Sequence, residues 1–145
     1  MKIALGTDHA GFDYKEAIQA ILKGQGHETL DLGTHDKEAC DYPDYAKRVC
    51  DAVLQKKADL GLLVCGTGIG MSIAANKVKG IRAALCHDLF TARLAREHND
   101  ANVLVLPGRM VALPYASEII ATFLGAHYTG GRHIPRLQKI ADLEC

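Results

Sequence analysis

Residues 59–77, "DLGLLVCGTGIGMSIAANK", run from an unbroken apolar segment through a lone cysteine into a glycine-rich loop and a helical pattern. A short apolar run without polar alternation is how a strand buried on both faces reads. Such a strand needs helices above and below its sheet. The stretch therefore predicts a strand over 59–65, the glycine loop, and a helix through "GMSIAANK".

The same alternation extends in both directions. Upstream, "KIALG" (2–6) predicts a strand, and Tyr14, Ala17, Ile18, Ile21 and Leu22 share one helical face that "GQG" stops. "HETLDLG" (27–33) is a second strand, and "CDYPDYAKRVCDAVLQKK" a helix with Pro43 suited to a first helical position. Downstream come a strand in "IRAALC" (81–86), a helix in "DLFTARLAREHN" behind a cap at Asp88, and a strand in "NVLVLP" (102–107). A helix over "PYASEIIATFL", a turn in "GAHYTGGRH" and a last helix over "IPRLQKIADLE" complete the chain. Repeated strand–helix units with short connections predict an α/β fold: one three-layer, Rossmann-like domain over residues 1–145, with a five-stranded parallel sheet flanked by helices. No linker or low-complexity tract divides it.

Composition narrows the function. Lys+Arg and Asp+Glu are both 17, so the formal net charge is zero, which argues against broad electrostatic capture of nucleic acid or an anionic membrane. No apolar run is long enough to span a bilayer, and "MKIALGTDHAG" meets charged, turn-forming residues too soon for a signal peptide. Five cysteines (40, 50, 65, 86 and 145) form no C-x-x-C pair, so reduced thiols and a cytoplasmic location are expected. Cys and His are not clustered at zinc-ligand spacing, and no metal is expected.

In a sheet of this kind ligands sit at the carboxyl ends of strands. After the first strand come Asp8 and His9, either a helix cap with a surface histidine or a carboxylate–imidazole pair at a binding edge. After the third come Cys65, Gly66, Thr67, Gly68, Ile69 and Gly70. The dinucleotide fingerprint fails because Met71 stands three after Gly68, and the Walker pattern fails because no Gly-Lys-Ser/Thr follows. Met71 also stands where a cysteine phosphatase would want arginine. What remains is a loop whose N–H groups can surround an anionic oxygen. Cys65 is then either an inert strand-end residue or a thiolate base beside that loop, with Thr67 able to donate and accept hydrogen bonds. His98 and Asn99 lie at a helix end, Arg109 follows the fifth strand, and Arg132 and Arg136 stand four apart. If one helix covers both arginines, they share a face suited to a phosphate; the alternative is solvated surface charge. A thiolate base, an oxyanion-binding loop, a hydroxyl shuttle and a phosphate clamp match proton abstraction next to a carbonyl, without cofactor.

At these residues the chain resembles the type B ribose-5-phosphate isomerases, a family shared with the subunits of galactose-6-phosphate isomerase. The matching stretches are "GTDHAGF", "DLGTH", "DYPDYA", "CGTGIGMSIAANK", "GIRAA", "REHNDANVL" and "GGRHIPRLQKI", in order along nearly the whole chain. The resemblance implies interconversion of D-ribose 5-phosphate and D-ribulose 5-phosphate in the pentose phosphate pathway, through a cis-enediolate. It implies Cys65 as the base, where some relatives use a glutamate around the position of Ala74. Thr67 moves the proton between the two oxygens, and the amides of Gly66 to Gly70, Ile69 included, hold the enediolate. His98 opens the furanose ring with Asp8 at the same hydroxyls. His9, Arg132 and Arg136, with Arg109, take the phosphate, while Asn99 and Tyr42 touch the sugar.

The resemblance further implies that His98, Asn99 and Arg109 come from a second subunit, so that the active unit is a homodimer or a tetramer. Two alternatives stand beside it. One is the same chemistry on allose or galactose 6-phosphate. The other is a noncatalytic sugar-phosphate-binding subunit, against which the presence of Cys65, Thr67 and His98 argues.

Overall fold

The computed structural model describes residues 1–144; Cys145, counted among the thiols above, lies outside the described residues. Five parallel strands form one sheet: β1 (Lys2–Thr7), β2 (Glu28–Asp31), β3 (Leu60–Cys65), β4 (Ala83–Leu85) and β5 (Val103–Pro107). Their spatial order is β2-β1-β3-β5-β4. Every residue of β3 and β5 is buried, as a central strand covered on both faces requires, whereas β2 and β4 at the edges are half-exposed.

Six α-helices flank the sheet: α1 (Phe12–Gly24), α2 (Tyr42–Leu54), α3 (Ile69–Ala75), α4 (Leu89–Asn99), α5 (Leu113–Gly125) and α6 (Ile134–Ala141). Alternate strand residues enter opposite cores. Leu5, Leu62, Val64, Leu104 and Leu106 pack with Ile18, Leu22, Ala92, Ile119, Ile120 and Phe123 of α1, α4 and α5. Ala4, Leu63, Cys65, Val103 and Val105 pack with Ala46, Val49, Cys50, Met71 and Ala75 of α2 and α3. The period of two along a strand thus sends Cys65 to the α2–α3 side. That layer sits close to the sheet, because a Cβ at Gly6 or at Gly61 would come within 2.7 Å of a Val49 methyl.

The expected architecture is present, with shifted ends. β2 is shorter than 27–33, but its hydrogen bonding to β1 runs on, from Leu32 N to Leu5 O at 2.8 Å and Thr34 N to Thr7 O at 2.9 Å. β4 spans three residues rather than 81–86. Pro43 is the second residue of α2, behind an N-cap at Asp41, and needs no N–H there either. α6 ends at Ala141, short of Glu144, and buries none of its residues. No helix among the described residues is long and apolar enough to cross a membrane.

Candidate active site

From β1 the chain steps out to β2, then returns to the other side of β1 as β3, so the sheet's switch point lies between β1 and β3. Asp8 and His9 leave one strand there and Cys65 ends the other. Asp8 is buried, and its Oδ1 accepts from Gly11 N at 3.0 Å, capping a 3-10 turn over His9–Gly11. The turn is wedged onto β3: a Cβ at Gly11 would lie 2.5 Å from the Val64 carbonyl oxygen. His9 is oriented from another loop, since the amide of Cys40 donates to its Nδ1 at 3.3 Å. An amide N–H can only donate, so Nδ1 is the unprotonated nitrogen and Nε2–H is left for a ligand.

Cys65 is 5% exposed, and its Sγ accepts from the amide of Gly68 at 3.2 Å. That bond requires Gly68 in the left-handed region (φ 75), where glycine alone is unstrained. Thr67 is exposed, its Oγ1 accepting from Ile69 N at 3.3 Å. Two side chains close over the loop. The Tyr42 ring lies across Gly70, whose Cβ would come within 2.6 Å of its Cζ, and the Arg109 guanidinium lies 3.4 Å from the Cβ position of Gly66. Arg109 is fixed there by backbone bonds, Gly108 N to Cys65 O at 2.9 Å and Arg109 N to Gly66 O at 3.0 Å. Arg109 therefore belongs to the loop of its own chain, where the resemblance placed it on a second subunit.

His98 and Asn99 occupy the other end of the sheet, because α4 runs back against the strand direction. Arg82, just before β4, donates from Nε to Asn99 O at 3.0 Å and ion-pairs with Asp100 at 3.0 Å; Arg96 pairs with the same carboxylate at 2.9 Å. Asn102, just before β5, exchanges hydrogen bonds with the Arg82 backbone. These are amino ends of strands, and β5 alone, five residues long, puts roughly 16 Å between them and the carboxyl ends.

Arg132, in a 3-10 turn over Gly131–His133, and Arg136, in the first turn of α6, lie on this side as well. One continuous helix does not cover both arginines, so the condition for their sharing a helix face is not met: the expected turn, with Gly130 (φ 64) and Gly131 (φ 57) at positive φ, comes first, and the last helix starts at Ile134 as expected.

The candidate residues thus form two groups within a chain. Asp8, His9, Tyr42, Cys65, the 66–70 loop and Arg109 share one end; His98, Asn99, Arg132 and Arg136 share the other. Two members of these surroundings escaped the sequence reading. Cys40 contacts His9 through a fold-back of the 33–41 loop that no local pattern announces. His133 stacks on His98, with ring centroids 4.2 Å apart and planes 18° from parallel. Burial, the His98 ring and the cations of Arg132 and Arg136 hold His133 below the ordinary histidine range. The doubled glycine before "RH" was the available signal.

The sequence profile of the ribose/galactose isomerase family matches residues 3–140. Ribose-5-phosphate isomerase B of Escherichia coli is 49% identical over 143 residues, covering 99% of this chain and 96% of that protein. Among solved structures, ribose-5-phosphate isomerase B of Clostridium thermocellum superposes with a TM-score of 0.97 at 50% identity, covering 99% of this chain and 97% of that one. A ribose 5-phosphate isomerase of Thermotoga maritima superposes with a TM-score of 0.95 at 53% identity, covering 98% of each chain.

Proposed function

As the chain belongs to the ribose/galactose isomerase family, we propose that it interconverts D-ribose 5-phosphate and D-ribulose 5-phosphate through a cis-enediolate, with Cys65 as the base. It is a sugar-phosphate isomerase, and the pentose is the substrate this reading selects. The seat of Cys65 carries the proposal: a thiol at the carboxyl end of β3, held by the Gly68 amide at 3.2 Å in the sheet's switch point. Its sulphur faces the loop, where the carbon beside a carbonyl would lie.

The steps follow from these positions. His98, with Asp8, moves the protons that open the furanose ring. Cys65 takes the proton from C2 of the open aldose, and the loop amides of Gly66 to Gly70 meet the charge that develops on oxygen. Thr67 passes a proton between O1 and O2, and Cys65 returns its proton to C1. His9 through Nε2–H, with Arg109, Arg132 and Arg136, holds the phosphate; Tyr42 and Asn99 touch the sugar.

A second copy of the chain completes each site. One chain holds its two groups of residues at opposite ends of the sheet, so the group around His98 must reach Cys65 from a neighbour. Apolar Ile134, Ile140 and Leu143, on and after α6, are 57%, 42% and 80% exposed, surface that a neighbouring copy would cover.

The test compares turnover of ribose 5-phosphate with that of allose and galactose 6-phosphates, wild type beside Cys65→Ala. Loss of a general base lowers kcat by about 10²–10⁴. Full turnover by Cys65→Ala removes the thiol from the mechanism, and a higher kcat/KM on a hexose phosphate overturns the pentose assignment.

A further inference from the structure

We propose that His133 is a positioning residue for the ring-opening step: its imidazole, stacked on that of His98, fixes the plane in which His98 meets the sugar. This inference rests on the assignment of ring opening to His98.

His98 stands in the last turn of α4, only half-buried, beside the exposed Asn99. The chain brings a second ring against that of His98 from 35 residues further on, in the turn that also carries Arg132. Thr129 clamps the incoming loop onto the end of α4 with two bonds to one carbonyl, from its backbone N (3.0 Å) and from Oγ1 (2.8 Å) to Glu97 O. Gly130 and Gly131, both at positive φ, then reverse the chain, and His133 N closes the turn on Gly130 O at 3.2 Å. The result lays His133, 7% exposed, flat against His98 at 4.2 Å.

A flat aromatic contact removes rotational freedom about χ2 of His98, which an exposed helix-end histidine would otherwise keep. It also leaves the edges of the His98 ring, where both nitrogens lie, open to a sugar. The electrostatics agree with a division of labour. Arg132 and Arg136 from the adjoining turn and α6, together with His98 itself, disfavour a charge on His133. His133 therefore acts as a neutral plate and His98 keeps the proton traffic.

Ring opening can be separated from proton abstraction. Ribose 5-phosphate is a closed furanose, whereas ribulose 5-phosphate cannot close one, its C5 hydroxyl being esterified. Exchange of the C1 hydrogen of ribulose 5-phosphate with D2O, followed by NMR, needs the base but not the ring opener. The variants are His133→Ala, His133→Phe, His98→Asn and the double variant His98→Asn/His133→Ala. We expect His133→Ala to lose about tenfold or more in kcat on ribose 5-phosphate while C1 exchange stays within about twofold. His133→Phe, which can still stack, should recover most of the loss. The double variant should be no slower than His98→Asn, because a plate has no role without the ring it orients.

Equal loss in both reactions, a His133→Phe variant as poor as His133→Ala, or independent losses in the double variant would each overturn the proposal. So would wild-type ring opening in His133→Ala alongside a defective His98→Asn; that pattern leaves the assignment of His98 intact. Wild-type ring opening in His98→Asn removes that assignment, and this inference with it.

Discussion

Replacing Gly68 by alanine tests whether the loop geometry, rather than the loop composition, seats the thiol. Gly68 lies at φ 75, and a Cβ there would overlap the Leu85 side chain while standing 3.4 Å from the Leu106 carbonyl carbon and from Val105 Cγ1. Holding a non-glycine residue in the left-handed region costs about 1–2 kcal/mol. Overpacking against Leu85 adds about 1–2 kcal/mol, the low end of the usual range, because the contact is the tip of a half-buried side chain. The sum, about 2–4 kcal/mol, corresponds to a Tm lower by roughly 7–13 °C in a domain of this size.

The Gly68 amide also moves with the strain, and it is the donor to Cys65 Sγ. A shift approaching 1 Å at a catalytic group costs about 10²-fold, so kcat/KM should fall by that order. Two companions isolate the causes. Gly66→Ala has no positive φ and meets only the Arg109 side chain at 3.4 Å, so it should stay within about 1 kcal/mol of wild type. In a Leu85→Ala background the overlap disappears, and the cost of Gly68→Ala should shrink to the backbone strain alone. Calorimetry and isomerase assays on the wild type and the four variants, Leu85→Ala alone included, decide it. A Gly68→Ala protein melting with the wild type, or a Gly66→Ala protein damaged as badly, would refute the reasoning.

Gly11→Ala should be worse for stability than its size suggests. Its Cβ would meet the Val64 carbonyl oxygen at 2.5 Å, main chain that cannot step aside, so a loss of about 3 kcal/mol is expected from the urea midpoint. A midpoint equal to the wild type's would show that the turn is not wedged on β3. Alkaline pH should weaken the fold through Cys50 and Cys86. Burial raises both thiols from 9.0 to about 11, so they ionise more readily unfolded than folded. Their contribution is whole below pH 9 and is withdrawn as pH rises toward 11, by about 2–3 kcal/mol per thiol. Cys50→Ala should make that decline shallower, and a urea midpoint unchanged between pH 9 and 11 contradicts the linkage.

Strands β1, β3, β4 and β5 were legible because each is an apolar run between turn residues, and the central ones are apolar throughout, whereas β2 carries only Leu30 as an apolar residue. Their order was not, since it depends on which face each crossover takes and no local pattern encodes that. The site residues at the carboxyl ends, Asp8, His9, Cys65 and Arg109, could be found from topology alone. The separation of His98 from Cys65 could have been inferred too, because a crossover helix always ends at the far side of the sheet. Whether Arg132 and Arg136 share a helix face stayed open, because i, i+4 spacing speaks of a helix only where a helix exists, and the glycine turn before Ile134 leaves Arg132 outside it. The stack of His133 on His98 joins segments 35 residues apart through a loop clamp, and such contacts leave no periodic trace.

Under the proposal that a second copy completes each site, the two groups at opposite ends of one sheet would make catalysis a property of concentration as much as of folding. A lone chain has its full core and still cannot bring His98 to Cys65. In the proposed pair, each subunit would be host at one end and donor at the other. Damage around α4 or α6 in one chain would then silence the neighbour's thiol while leaving its own in working order.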